Sequence, residues 1–77
     1  MIDNESFLQV LIKSCQNFIT EREEDKRKFL VYLDSFKERN DAVAVNTRNN
    51  TNKLIELIDK EIEERKKYIG EFESLEN

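Results

Sequence analysis

From Leu8 onward the apolar positions of this chain recur in alternating steps of four and three residues, and no proline interrupts it anywhere. The stripe reads Leu8, Ile12, Cys15, Ile19, Arg22, Lys26, Phe29, Leu33, Phe36, Asn40, Val43. That spacing belongs to a helix packed along a seam, and it is broken only at Arg22, Lys26 and Asn40. With no proline, every residue keeps its backbone donor and long helices are permitted. Leu11, Phe18, Leu30 and Tyr32 widen the stripe beyond a narrow seam, which suits a helix touching more than one neighbour. Asp3 or Asn4 can cap this first helix, and Glu5 complements the dipole of its first turn.

A second stripe follows with the same steps: Ile55, Ile58, Ile62, Arg65, Ile69, Phe72, flanked by Leu54, Leu57, Tyr68 and Leu75. Between the stripes, residues 40–53 hold five asparagines, two threonines and an aspartate around the short patch Ala42 to Val45. Asparagine and threonine favour caps and turns over helix interiors. The sequence therefore predicts a helix over about 4–40, a loop or helical bridge over about 41–51, and a helix over about 52–75, all within one domain. Gly70 can end the second helix or sit inside it at a cost of about 1 kcal/mol. Because Phe72 and Leu75 keep the helical spacing beyond it, continuation is expected.

Each helix runs apolar, charged, apolar, with charged blocks at Thr20 to Lys28 and Asp59 to Lys67. Folding the chain antiparallel about Val43 and Ala44 lays these blocks side by side. Phe29, Leu33 and Phe36 then meet Ile58, Leu54 and Ile55, while Phe18 and Ile19 meet Ile69 and Phe72. The expected fold is an all-α antiparallel helical hairpin with coiled-coil-like packing. On these boundaries helix one is the longer, so Phe7, Leu8, Val10 and Leu11 overhang helix two. Exposed apolar surface costs roughly 25 cal/mol per Å², and a second hairpin completing a four-helix bundle would cover it. The competing architecture is one continuous helix of about 115 Å at 1.5 Å per residue, paired as a coiled coil.

Small size pushes in the same direction. Seventy-seven residues bury a modest fraction of their surface, and chains this short depend on a staple or on association. One cysteine and no histidine leave neither an intramolecular disulfide nor the common zinc sets. No cofactor, metal or small-molecule substrate is expected. The acidic clusters Glu21 to Asp25 and Glu61 to Glu64 interleave with basic residues at helical spacing, Glu23 with Arg27, Glu24 with Lys28, Glu56 with Lys60 and Glu63 with Lys67. Such pairs read as solvated helix-surface ion pairs. Without a nucleophile beside a base or a glycine-rich loop, the chain is not expected to be an enzyme.

No stretch approaches the roughly 20 apolar residues that span a bilayer. The segment Met1 to Glu5 is acidic where a secretion signal is basic, so an intracellular, cytoplasmic location is expected and the triplets Asn4-Glu5-Ser6 and Asn49-Asn50-Thr51 are read as chance. A net charge of −4 argues against non-specific binding to nucleic acid or anionic lipid. In the hairpin, Lys26, Arg27 and Lys28 fall beside Arg65, Lys66 and Lys67, but Glu24, Asp25, Glu63 and Glu64 largely cancel their field.

The residues expected to form the helix-packing interface are Phe7, Leu8, Leu11, Ile12, Cys15, Phe18, Ile19, Phe29, Leu33, Phe36, Ile55, Ile58, Ile62, Ile69 and Phe72. Cys15 reads as a small buried hydrophobe. Arg22, Lys26 and Arg65 have two readings. They form a polar layer that fixes register or partner choice, with Glu23, Glu24, Glu61 or Glu64 as counter-ions, or their stems lie along the apolar face while their charged ends reach solvent. The functional expectation is a non-catalytic protein–protein interaction or oligomerisation module, a homo-oligomer or a helical subunit of a larger assembly. A small inhibitor of the phage or plasmid type that blocks a target protein is the first alternative, and a weak nucleic-acid-associated bundle is the second.

Overall fold

The computed structural model describes residues 4–76, with side chains from Phe7 onward. Two long helices, α1 (Asn4–Ser35) and α2 (Ala42–Glu76), pack antiparallel along their whole length. The caps expected of Asp3 or Asn4, and the role of Glu5, lie outside the described side chains. The hairpin measures 59 × 16 × 15 Å, so the continuous helix of about 115 Å is not the fold adopted.

The turn does not fall where the asparagine-rich stretch suggested. Helix α1 ends at Ser35, the connection spans 36–41, and α2 begins at Ala42, ten residues before the expected start near 52. Two interactions explain this. Asp41 is the N-cap of α2: its Oδ2 accepts the Ala44 N–H at 3.3 Å while its carbonyl accepts the first ladder bond, from Val45 N–H, at 3.0 Å. Arg39 grips the same carboxylate through two bonds of 3.0 Å. Once that cap forms, Asn46, Asn49, Asn50 and Asn52 are carried as exposed helix-surface residues, and tertiary packing overrides their weak propensity.

The turn is built without glycine, and no described residue adopts a positive φ. The last carbonyls of α1 are therefore met differently from the usual left-handed cap. Phe36 and Lys37 N–H donate to Leu33 and Asp34 carbonyls at 3.0 and 3.3 Å, tightening the end into short turns. The Ser35 hydroxyl donates to the Tyr32 carbonyl at 2.6 Å. Arg48, nearly two turns into α2, reaches back and donates through Nη1 to the carbonyls of both Phe36 and Arg39.

Register follows from contacts along the hairpin. Arg48 meets Phe36, Lys26 pairs with Asp59 at 2.7 Å, Arg22 lies 3.8 Å from Glu61, and Gln9 donates to Glu76. This register differs slightly from a fold about Val43 and Ala44, and it places Leu33 level with Thr51 and not Leu54. The charged blocks do lie side by side. The overhang, however, is absent: α2 has 35 residues to the 32 of α1, and its last turn reaches Gln9. Gly70 lies inside α2, as the spacing beyond it implied.

The core is a single seam. Ile12, Cys15, Ala44, Ile55, Ile58 and Ile62 are buried, with Thr51 beside them. On α2 the interior positions run 44, 48, 51, 55, 58, 62, 65, 69 and 72, so the 4–3 rhythm continues unbroken through the stretch read as a loop. Asn40 and Val43, the last positions of the α1 stripe, are exposed because α1 has already ended.

Candidate functional site

A two-helix hairpin has one seam and two flanks, and here the flanks differ in chemistry. On one flank, positions seven residues apart carry Leu11, Phe18, Asp25 and Tyr32 from α1, and Leu54, Glu61, Tyr68 and Leu75 from α2. Contacts across the seam place both sets on the same side. The Arg65 guanidinium lies 4.3 Å from the Phe18 ring centroid and 6.0 Å from that of Tyr68, within cation–π range. Arg22 pairs with Asp25 and approaches Glu61 at 3.8 Å. The opposite flank carries Gln9, Gln16, Glu23 and Leu30 against Val45, Asn52, Asp59, Lys66 and Glu73, and is polar but for Leu30 and Val45. There Lys26 bonds Asp59.

The first flank is apolar and open. Tyr32 and Leu54 are 48% and 47% exposed, Leu75 is more exposed still, and Phe7, Val43 and Leu57 extend the surface on its outer edge. Leu11, Phe18 and Tyr68 are half-buried. No aromatic ring is buried: of the five phenylalanines and two tyrosines, each described ring is half-buried or exposed. Isolated exposed apolar residues need no explanation, and Val10 and Val31 on the back of α1 are of that kind. On this flank apolar residues instead recur along both helices, interrupted at mid-length by Asp25 and Glu61.

Of the predicted packing residues, Ile12, Cys15, Ile55, Ile58 and Ile62 are buried between the helices. Leu8, Leu11, Phe18, Ile19, Phe29, Leu33, Phe36, Ile69 and Phe72 are half-buried along the seam, and Phe7 is exposed. Arg22, Lys26 and Arg65 all lie at the seam, half-buried. Their partners are Asp25, Glu61, Asp59 and the Phe18 ring; of the four counter-ions anticipated, only Glu61 takes part. Glu24 instead binds Arg27, whose hydrogen bond holds its carboxyl below the ordinary value, and Glu64 accepts the Tyr68 hydroxyl at 2.6 Å, which pushes that phenol up. Among the expected surface pairs, Arg27 joins Glu24 and not Glu23, and Glu63 lies 3.8 Å from Lys66.

The two basic clusters do not form a patch. Lys26 is level with Asp59, about two helical turns from Lys66, and the hollow these lysines share is also lined by Glu23, Asp59 and Glu63. Among the described residues no group of three His, Cys, Asp or Glu side chains is placed to hold a metal ion, and no helix is long and apolar enough to cross a membrane. Sequence reasoning missed Ala44, Arg48 and Thr51 as interior positions, and left Tyr32, Leu54, Tyr68 and Leu75 out of the packing interface. The signal for the first group was present: counting back from Ile55 in steps of four, three and four reaches each of them. Comparison with known protein families, with curated proteins and with solved structures finds no match for this chain.

Proposed function

We propose that this chain is a non-catalytic helix-packing module that completes its fold by associating with another helical surface, as a homo-oligomer or as a small helical subunit. The observation that carries the reading is the open apolar flank. Surface area supports it. The hairpin exposes 6083 Å² at 9.2 kDa, whereas a compact monomer of that mass exposes about 4,900 Å². The excess, about 1,100 Å² per chain, exceeds the roughly 800 Å² that each partner contributes to a standard interface. Association needs no substrate, cofactor or nucleic acid.

The test is solution mass by sedimentation and helix content by circular dichroism across a dilution series, with binding of an apolar-surface dye measured alongside. Mass and helix content that fall together on dilution are expected, because folding and association are then linked. A monomer at every concentration that is fully helical and binds no dye would overturn the reading.

A further inference from the structure

We infer that the partner on the apolar flank is a second copy of this chain, docked head to tail about a twofold axis through the layer formed by Asp25 and Glu61. The inference rests on the association reading above and adds the occupant, the face and the direction.

Three observations carry it. First, the flank is palindromic about its centre. Phe18 and Tyr32 stand seven residues either side of Asp25, and Leu54 and Tyr68 seven either side of Glu61. In the register observed, Phe18 and Tyr68 form one layer, Asp25 and Glu61 the next, Tyr32 and Leu54 the third. A twofold axis through the middle layer sets Tyr32 and Leu54 of one copy on Phe18 and Tyr68 of the other, apolar on apolar. The middle layer then meets itself. Each copy brings the Asp25 and Glu61 carboxylates with the Arg22 guanidinium between them, a net −1 per copy, and the Arg65 guanidinium lies one layer away over Phe18 and Tyr68.

Second, charge sets the direction. The half of the hairpin nearer the turn, residues 26–60, holds eight Lys and Arg against five Asp and Glu, a net +3. The open half, residues 1–25 and 61–77, holds five against twelve, a net −7. Head-to-tail docking lays the positive half of each copy on the negative half of the other. A parallel dimer would set −7 against −7. Complementary potentials fix orientation and suppress the like-charged alternative.

Third, the shape leaves surface to cover. A hairpin of 59 × 16 × 15 Å exposes about 1,100 Å² more than a compact monomer of its mass, and a flank running its whole length has room for an interface of standard size.

The experiment compares substitutions of equal exposure on the two flanks. Leu54→Glu, on the apolar flank, places a carboxylate in the interface twice per dimer and is expected to weaken dimerisation on the order of a hundredfold. Leu30→Glu, 49% exposed on the polar flank, is expected to change it by less than about threefold. Direction is read by oxidising a mixture of Leu54→Cys and Tyr68→Cys chains, each also carrying Cys15→Ala. Head-to-tail docking yields the bridge between positions 54 and 68. It holds the two copies of position 54 about 20 Å apart at 1.5 Å per residue, beyond disulfide reach. A dimer that survives Leu54→Glu, or one that Leu30→Glu dissociates instead, overturns the face, and absence of the 54–68 bridge with a ready bridge between Leu54→Cys and Tyr32→Cys chains, the pair a parallel dimer would bring together, overturns the direction. In each case the chain still self-associates, so the association reading stands. A helical monomer that binds the apolar-surface dye overturns the second copy as occupant while leaving a helical partner of another kind; a monomer that binds no dye overturns both.

Discussion

Arg48 is the residue on which the connection between the helices depends, and Arg48→Met isolates its contribution. Methionine keeps most of the stem that lies along the seam but removes the donors to the Phe36 and Arg39 carbonyls. Hydrogen bonds from charged groups contribute about 1.5–3 kcal/mol each. The bond to Arg39 is solvent-exposed and that to Phe36 only partly buried, so the lower end applies, and water can replace part of the exposed bond. The expected loss is about 2 kcal/mol, a large part of the roughly 4–12 kcal/mol available to a chain of this length. A loss of that size lowers Tm by about 8–16 °C. Thermal and urea melts followed by circular dichroism, at one fixed protein concentration, measure it. Arg48→Lys, which keeps the charge but offers a single flexible ammonium in place of a planar fork, should fall between the two. The reasoning is refuted if Arg48→Met melts within about 2 °C of the parent, or if Arg48→Lys is the more damaging change.

Gly70 sits inside α2 with no atom within 4 Å of where a β-carbon would stand, so Gly70→Ala should stabilise the protein by about 0.5–1 kcal/mol in urea melts; destabilisation would show that the site is crowded. Cys15 is free and only 4% exposed, so its reaction with a thiol reagent should follow opening of the hairpin and accelerate with added urea. Reaction at the rate of a small-molecule thiol would place it outside the seam. The Asp41 carboxyl is held below its ordinary 3.8 by the Arg39 hydrogen bond, which outweighs the opposing effect of burial, and the Ala44 N–H adds to the lowering. A depressed folded-state value means that its stabilisation is present above 3.8 and is lost as pH falls through the folded value. The stability gap between the parent and Asp41→Asn should therefore narrow on acidification below 3.8, and a gap independent of pH would refute the assignment.

What the sequence made legible was periodic, and what it hid was local. The 4–3 rhythm from Leu8 to Phe36 and from Ile55 to Phe72 gave the helices, their antiparallel pairing and the buried isoleucines, because a repeated pattern sums over many residues. The turn rests on few contacts. Asparagines at 46, 49, 50 and 52 looked like loop chemistry, yet a turn is fixed by the residues that meet its orphan backbone groups, here Asp41, Arg39 and Arg48. An aspartate three residues before Ala44 and a continuing rhythm through 44, 48 and 51 were the available signals. Moving the turn by several residues removed the overhang on which the partner surface had been placed. The exposed apolar residues lie along the length of one flank and not at the end of α1 alone.

That relocation alters what the polar seam residues mean. Arg22 and Arg65 were read as seam residues with two possible roles, a specifying layer or solvent-seeking ends on apolar stems. In the structure both side chains are half-buried at the seam, and their charged ends reach its edge. Each lies across the seam and emerges on the apolar flank, Arg22 towards Asp25 and Glu61, Arg65 over Phe18 and Tyr68. Within the hairpin such charges are stabilised modestly, since Arg22 is about a third exposed, Arg65 is half-buried, and both are screened by solvent. Covered by a partner, the same groups lose that screening, and each must then find a carboxylate or a ring face, because removing one partner from a buried ion pair costs far more than the pair contributes. A docked surface without acids at mid-length would leave Arg22 with only the carboxylates of its own hairpin and Arg65 with only the Phe18 and Tyr68 rings. Under the docking proposed above, the middle layer would therefore contribute little to the hairpin alone and discriminate among the surfaces that cover it, as a polar interruption in an apolar seam can.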